Sequence, residues 1–211
     1  MSRSRLFLIA VAAVACCGVV GPVGSAFAAP EFEAGNYPAT IKGENTTAYT
    51  FMTNFGTFTC SAGSSTGAMT GNSNQLALTP SLVNCTGALG LPAVFVAGGC
   101  EERHTLFSGP PAYGSWSVTP PGCIGLQLSF PAIPGCTVTI PPQPGLSKID
   151  YVMDEGPPVS ITSQSTISGV KYVISSGCGS ASGTFSNGVE KVKQRLKAWF
   201  GGVRTFFRIK P

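Results

Sequence analysis

The stretch CIGLQLSF, residues 123–130, decides the fold class, because apolar and polar residues alternate along it one by one. In an extended chain its apolar side chains share one face: Ile124, Leu126, Leu128 and Phe130. The stretch GCTVTI, residues 135–140, alternates in the same way. A period of two is typical of a β-strand that buries one face, whereas a helix repeats every three or four residues. Both stretches therefore predict strands.

Short runs of the same kind recur through residues 29–188, and the turn-forming residues Gly, Pro, Ser and Thr separate them. The other runs lie at residues 49–53, 76–79, 93–97, 149–153 and 170–174. Many short strands at regular spacing, with no helical period, are typical of a sandwich or a barrel. We therefore expect residues 29–188 to form an all-β domain, a disulfide-braced antiparallel β-sandwich or barrel.

Residues 1–28 have the pattern of a secretory signal peptide. Two arginines precede an apolar run over residues 6–20, and the triplet Ala-Phe-Ala at residues 26–28 supplies small residues for cleavage. The pattern predicts cleavage after this triplet and secretion of the remainder. An alternative is lipidation of Cys16, although the preceding residues lack the usual leucine. No later run reaches about 18 uninterrupted apolar residues, so we do not expect the mature chain to cross a membrane.

Six cysteines follow the signal peptide: Cys60, Cys85, Cys100, Cys123, Cys136 and Cys178. An even number of cysteines in an exported chain predicts three disulfides. The spacing contains no Cys-x-x-Cys, which argues against zinc and against a redox centre. The sequence does not choose among the pairings. Pairing of sequential neighbours is our expectation: Cys60 with Cys85, Cys100 with Cys123, and Cys136 with Cys178.

Charge divides the chain into two unequal parts. Residues 29–188 carry four basic and eight acidic residues, whereas residues 189–211 carry seven basic residues and one acidic residue. Apolar residues of this tail fall at positions 189, 192, 196, 199, 200, 203, 206 and 207, a helical spacing with most of the cations on the other face. The pattern predicts a basic amphipathic helix over residues 189–211, with a kink at the two glycines 201 and 202.

A helix with aromatic residues on one face and cations on the other can lie in a membrane interface. The residues expected to contact the membrane are Lys191, Val192, Lys193, Arg195, Leu196, Lys197, Trp199, Phe200, Val203, Arg204, Phe206, Phe207 and Arg208. The competing interpretation is that the apolar face packs on the β-domain and the cations are solvated. Nucleic acid is not an expected partner, because the chain is exported.

Catalytic patterns are weak in this sequence. His104 is the sole histidine and stands in a charged stretch, and the match to G-x-S-x-G at residues 63–67 has no helix after it, as that motif requires. Asp150, Asp154 and Glu155 could supply the two carboxylates of a glycosidase. Of two candidates for a sugar-stacking platform, Tyr113 and Trp116, the tryptophan is more simply interpreted as core. We expect no catalytic residues, no metal and no cofactor.

Four short phrases resemble one group of proteins: YPATI at residues 37–41, FTC at 58–60, LTPSLVNC at 78–85 and GCTV at 135–138. They resemble the uncharacterised secreted cysteine-containing β-proteins of high-GC Gram-positive bacteria. The resemblance covers residues 32–186 and leaves out the basic tail. It implies a fold and a location outside the cell, and no activity.

These patterns together predict a secreted, non-catalytic protein of the cell envelope. The tail would hold the β-domain at an anionic membrane or envelope surface, where its loops could meet a glycan or a protein ligand. Two alternatives are a small envelope hydrolase that uses Asp150, Asp154 or Glu155, and a secreted defence protein whose tail disrupts membranes.

Overall fold

The computed structural model describes residues 29–108, 111–119 and 122–211, and the predicted signal peptide lies outside these residues. The described part of the chain is almost entirely β-structure with two short 3-10 segments, Ala88–Gly90 and Ser176–Ala181. Its strands are β1 (Glu31–Ala34), β2 (Ala39–Asn45), β3 (Tyr49–Thr53), β4 (Gly56–Met69), β5 (Gln75–Thr86), β6 (Pro92–Val96), β7 (Glu101–Ser108), β8 (Ala112–Thr119), β9 (Leu126–Ser129), β10 (Thr137–Ile140), β11 (Gln143–Asp154), β12 (Ser160–Ile174), β13 (Gly183–Phe200), β14 (Val203–Thr205) and β15 (Phe207–Lys210).

The antiparallel pairings trace two closed circuits of strands. The first ring runs β5–β7–β8–β11–β12–β13–β2–β4 and returns to β5. The second ring runs β10–β9–β6–β5–β4–β3–β13–β12 and returns to β10. The four long strands β4, β5, β12 and β13 belong to both rings. The all-β antiparallel class predicted from the alternating runs is therefore confirmed.

Each ring has its own apolar interior. The strands that form the first ring bury Ile41, Leu76, Leu78, Trp116, Ile149, Ile161 and Leu196. The strands that form the second ring bury Phe51, Phe58, Leu126, Leu128, Val138, Ile140 and Tyr172. Among the aromatic members of the second set, Phe51 contacts Tyr172 edge to face, with ring centroids 5.6 Å apart, and Phe58 at a tilt of 35°. The alternation along the strands places these side chains inward together.

The three disulfides join the cysteines in the predicted order. Cys60 and Cys85 face each other across the β4–β5 pair. Cys100 and Cys123 join the start of β7 to the segment before β9, and Cys136–Cys178 joins the start of β10 to the second 3-10 segment. All three bridges therefore lie at or near the strands of the second ring.

The predicted helix over residues 189–211 is not formed, because this stretch belongs to strands β13, β14 and β15. Residues 190–199 also alternate with a period of two, and that alternation matches the neighbouring strands β12 and β2. Gly201 and Gly202 both have positive φ and form the tight turn between β13 and β14 instead of a helix kink. β13 also runs without a break through residue 188, where the tail was expected to begin.

No helix in the described ranges has the length and apolar character needed to span a bilayer.

Candidate functional site

The outer side of β13 carries a row of cations. Strand geometry turns every second side chain to the same face, so Lys191, Lys193, Arg195 and Lys197 all point away from the interior. Successive cations stand about 6.5–7 Å apart along the strand. Arg204 on β14 lies beside them, because its partner on β13 is residue 199. We call these five residues the cationic face.

Two members of the cationic face are already paired with carboxylates. Lys197 Nζ donates to Glu44 Oε2 at 2.7 Å, and this hydrogen bond together with the lysine charge lowers the pKa of Glu44. Arg195 Nε lies 3.2 Å from Asp154 Oδ2. Lys191 and Lys193 are exposed and take part in none of the four ion pairs found among the described residues. The row therefore keeps uncompensated positive charge at one end.

Two shallow clefts open along the cationic face. One, of about 370 Å³, lies between Arg195, Lys197, Arg204 and the turn at residues 156–158, with Asp154 at its edge. The other, of about 220 Å³, is lined by Lys191 and Lys193 together with Thr47, Gln164 and Thr166. The second cleft has no acidic residue in its lining. Cations beside hydroxyl and amide groups form a suitable lining for an oxyanion such as a carboxylate, sulfate or phosphate.

The apolar residues predicted to enter a membrane do not share one face. Leu196 and Phe207 are completely buried, and Val192 is half-buried toward the interior. Phe200 and Val203 are exposed at the β13–β14 turn. The helical spacing grouped these residues only because three- and four-residue steps mix even and odd positions, which a strand turns to opposite sides.

The two remaining aromatic residues of the predicted membrane face lie under cations. Lys42 Nζ stands 5.1 Å from the centre of the Trp199 ring, and the guanidinium of Arg208 stands 5.0 Å from the ring of Phe206. Arg208 also donates to Glu33 Oε2 at 2.6 Å. These aromatic rings therefore contact the protein's own side chains.

A polar cluster that was not predicted from the sequence lies inside the molecule, where the two rings meet. We call this level the waist, because β13 leaves its partner β3 after residue 191 and joins β2 at residue 194. A cavity of about 20 Å³ lies there, lined by Tyr49, Glu102, His104, Trp116, Glu190 and Gln194 among others. Its two carboxylates come from β7 and β13, which are distant in sequence and belong to different hairpins. Register alone could have indicated Glu190, which shares its strand face with Leu196.

Burial shifts the pKa values of this waist cluster. Glu190 is 1% exposed, and burial together with the charge of Glu102 raises its pKa well above the ordinary value, against a smaller opposite effect of the Tyr49 hydroxyl. Burial raises the pKa of Glu102 to about 7, against a smaller opposite effect of the Trp116 indole. Burial lowers the pKa of His104 to about 4. The pair of carboxylates therefore binds protons more tightly, and the imidazole less tightly, than each group does in water.

Three polar atoms in the cavity lining have no hydrogen-bond partner in the described part of the chain: the donors Asn45 Nδ2 and Trp116 Nε1, and Glu190 Oε2. His104 differs, because its Nδ1 lies 3.2 Å from the hydroxyl of Tyr151. Unpaired buried polar atoms are costly and are rare in native proteins. The lining of the cavity therefore has unused hydrogen-bonding capacity.

The structure does not assemble the residues considered for a glycosidase or a serine hydrolase into a catalytic site. Asp150 is exposed and pairs with Lys148 at 2.9 Å, whereas Asp154 accepts hydrogen bonds from Ser160 and Thr162 and forms an ion pair with Arg195. The match to G-x-S-x-G lies within the straight strand β4 instead of at a strand-to-helix turn.

The two aromatic residues considered as a sugar platform are also separated. Trp116 is 1% exposed and belongs to the core, as expected, while Tyr113 on the same strand is exposed beside Phe107. Within the described ranges, no group of three or more His, Cys, Asp or Glu side chains could hold a metal ion.

Comparisons with known proteins returned no match, whether with models of protein families, with curated proteins or with solved structures.

Proposed function

We propose that this protein is an exported, non-catalytic binding protein that holds a linear polyanion of the cell envelope along its cationic face. The observation that carries the proposal is the row of four outward cations at alternate positions of β13, with a cleft at each end of the row. The three disulfides support an oxidising location, and the predicted signal peptide supports export.

The geometry of the row favours an extended ligand over a compact one. Lys191 and Lys197 are six residues apart, which is about 20 Å along a strand. A single small anion can meet only one or two of the cations over this distance. A polymer with repeated oxyanion groups can meet all of them, and each contact adds to the others through the high local concentration of the next group.

The support beneath the row is stiff. We infer that each closed circuit of strands is a β-barrel and that the two barrels share the four long strands. In such a frame β13 is hydrogen-bonded along both sides, to β12 on one side and to β3 and then β2 on the other. A fixed spacing of cations limits the entropy lost when a ligand binds.

The ion pair of Arg195 with Asp154 also leaves this cation available to a ligand. The ion pair between Arg195 and Asp154 is half-exposed, and such pairs contribute at most about 1 kcal/mol. An incoming oxyanion could therefore replace the Asp154 carboxylate at low cost. The guanidinium fork of Arg195 suits a bidentate carboxylate or phosphate.

An interfacial membrane anchor is less well supported than a polymer. Membrane insertion needs a continuous apolar face, but Leu196 and Phe207 are buried within the protein. Among the apolar residues predicted to contact the membrane, Phe200 and Val203 are the exposed ones. We therefore take the membrane as the outcome that the experiment must separate from the polymer.

The experiment measures binding of the mature protein to polygalacturonate, to polyphosphate and to vesicles of anionic lipid, at low and high salt. The test variant is Lys191→Gln/Lys193→Gln, and the matched control is Lys148→Gln/Lys171→Gln, which removes the same charge from exposed positions on β11 and β12. Loss of two exposed charge contacts should weaken polymer binding by about tenfold in the test variant and leave the control close to wild type.

The proposal fails if both double variants lose affinity equally, because binding would then follow net charge alone. It also fails if the wild type binds vesicles and neither polymer. The two polymers separate a carboxylate ligand from a phosphate ligand, since each carries only one of these groups.

A further inference from the structure

We infer that the waist cavity is a buried site for one water molecule and one proton, the proton being held between Glu102 and Glu190, so that acid tightens the junction of the two rings and alkali loosens it. This inference does not depend on polyanion binding, which concerns the opposite face of β13. It concerns side chains that the proposed function leaves unused.

The size of the cavity fits a single water molecule. Its volume of about 20 Å³ exceeds the 10–15 Å³ or so that the centre of one water needs, and it leaves no room for a larger ligand. The three unpartnered atoms suit that occupant. Asn45 Nδ2 and Trp116 Nε1 can donate to the water oxygen, and the water can donate to Glu190 Oε2. One water has enough hydrogen-bonding capacity for all three atoms.

The charges around the cavity call for a proton. The ionisable groups in its lining are Tyr49 from β3, Glu102 and His104 from β7, and Glu190 from β13. Neither lysine nor arginine is among the lining residues. Two carboxylates that share a small site without a cation cannot both stay ionised at low cost, because like charges repel strongly where water is scarce. One retained proton removes one charge and supplies a donor.

The position of Glu190 gives that proton a structural consequence. Glu190 is paired with Phe51 of β3, and Gln194, four residues further on, is paired with Asn45 of β2. The side chain thus stands where β13 changes partner from one ring to the other. Ionisation would place a negative charge between two apolar interiors, and water would have to enter to solvate it.

The direction of the pH dependence follows from the carboxylates. Their pKa values are raised by burial, that of Glu102 to about 7 and that of Glu190 well above its ordinary value. Above the ordinary pKa of a glutamate the folded protein therefore holds protons that the unfolded chain has released, so stability falls as pH rises through the folded values. His104, whose pKa burial lowers to about 4, acts in the opposite direction below its ordinary pKa of 6.5. In that range the proton that His104 gives up on folding offsets the proton gained by one carboxylate. The proton gained by the other carboxylate still makes stability fall as pH rises.

The test is urea unfolding of the mature protein with its disulfides intact, from about pH 5 to about pH 9. We expect the folding equilibrium constant of the wild type to fall as pH rises across this range, by up to about tenfold per pH unit for each extra proton that the folded state holds. Glu190→Gln should abolish this fall, because glutamine carries no proton to lose. Glu155→Gln, at an exposed glutamate, is the matched control and should keep the slope of the wild type.

A wild type whose stability is flat or rises over this range overturns the inference, as does an unchanged slope in Glu190→Gln. If Glu190→Gln does not fold, two measurements replace it. Glu102→Gln should reduce the slope, and the infrared spectrum of the wild type at neutral pH should contain the band of a protonated carboxyl group that Glu102→Gln shifts or removes. Absence of that band in the wild type also overturns the inference.

Discussion

The ring of Phe207 stacks on the ring of Phe32, with their centroids 5.9 Å apart and their planes within 17° of parallel. The two residues belong to β15 and β1, which pair at opposite ends of the described chain. Both side chains are completely buried, and Phe32 also contacts Tyr151 edge to face. The last strand is therefore an integral part of the core.

Replacing Phe207 by alanine should destabilise the protein strongly. Truncation of a buried phenylalanine removes apolar burial and leaves a cavity, so we expect a loss of about 3–5 kcal/mol in the free energy of unfolding. Phe200→Ala is the control, because Phe200 is 42% exposed and should lose no more than about 1 kcal/mol. Urea denaturation compares the two. Equal losses would mean that residues 203–211 do not pack as described.

Replacing Gly67 by alanine should destabilise the β4–β5 pair. A Cβ atom at this position would overlap the carbonyl oxygen of Ala77, which is backbone and cannot move without shifting its strand. Forced overpacking of this kind costs about 1–3 kcal/mol. Gly71→Ala is the control, since nothing lies within 4 Å of the added atom there. Thermal unfolding followed by circular dichroism would measure both, and a Gly67→Ala variant as stable as Gly71→Ala would contradict the prediction.

Removal of the Cys136–Cys178 bridge should lower stability without changing the fold. The bridge closes a loop of 42 residues. Its loss raises the conformational entropy of the unfolded chain, which lowers the free energy of unfolding by about 3–4 kcal/mol. The double variant Cys136→Ala/Cys178→Ala avoids a free thiol. Far-ultraviolet circular dichroism should match the wild type while the urea midpoint falls. A changed spectrum would indicate that the bridge is needed to form the second ring and does not merely stabilise it.

Replacing His104 by glutamine should change the pH dependence in acid. Between about pH 4 and its ordinary pKa of 6.5, His104 is neutral in the folded state and protonated in the unfolded chain, so it makes stability rise with pH there. The variant lacks this rise. Its stability should therefore fall more steeply with increasing pH over this range than that of the wild type, by about tenfold per pH unit in the folding constant. Parallel curves from urea unfolding would show that His104 titrates normally.

The sequence by itself predicted the class of fold, because the alternation of a strand is a local feature, and it predicted three disulfides without choosing among their pairings. The alternation in residues 123–130 and 135–140 is a property of a few neighbouring residues, and the structure makes strands β9 and β10 from them. The cysteine pairs are close in the chain, and the expected order of pairing is the one observed.

The tail shows where local patterns stop being sufficient. Residues 189–207 satisfy a helical spacing and a strand spacing at once, since Val192 and Leu196 fall on the apolar side of both. The choice depends on partners that the tail does not contain: the open edges of β12 and β2 offer a ladder of hydrogen bonds to β13. Tertiary pairing of this kind overrides a local preference for helix.

The sequence thus determined the class of fold, several of the strands and the inventory of charges, since each can be found from neighbouring residues or from composition. Only the tertiary structure decided where the charges lie. Closure of the rings turned Lys191, Lys193, Arg195 and Lys197 outward into one row, and it brought Glu102 and Glu190 from distant strands to the same buried cavity. The physical reason is that burial and the distance between charges depend on the pairing of strands far apart in the chain, and both set the energy of an ionised group.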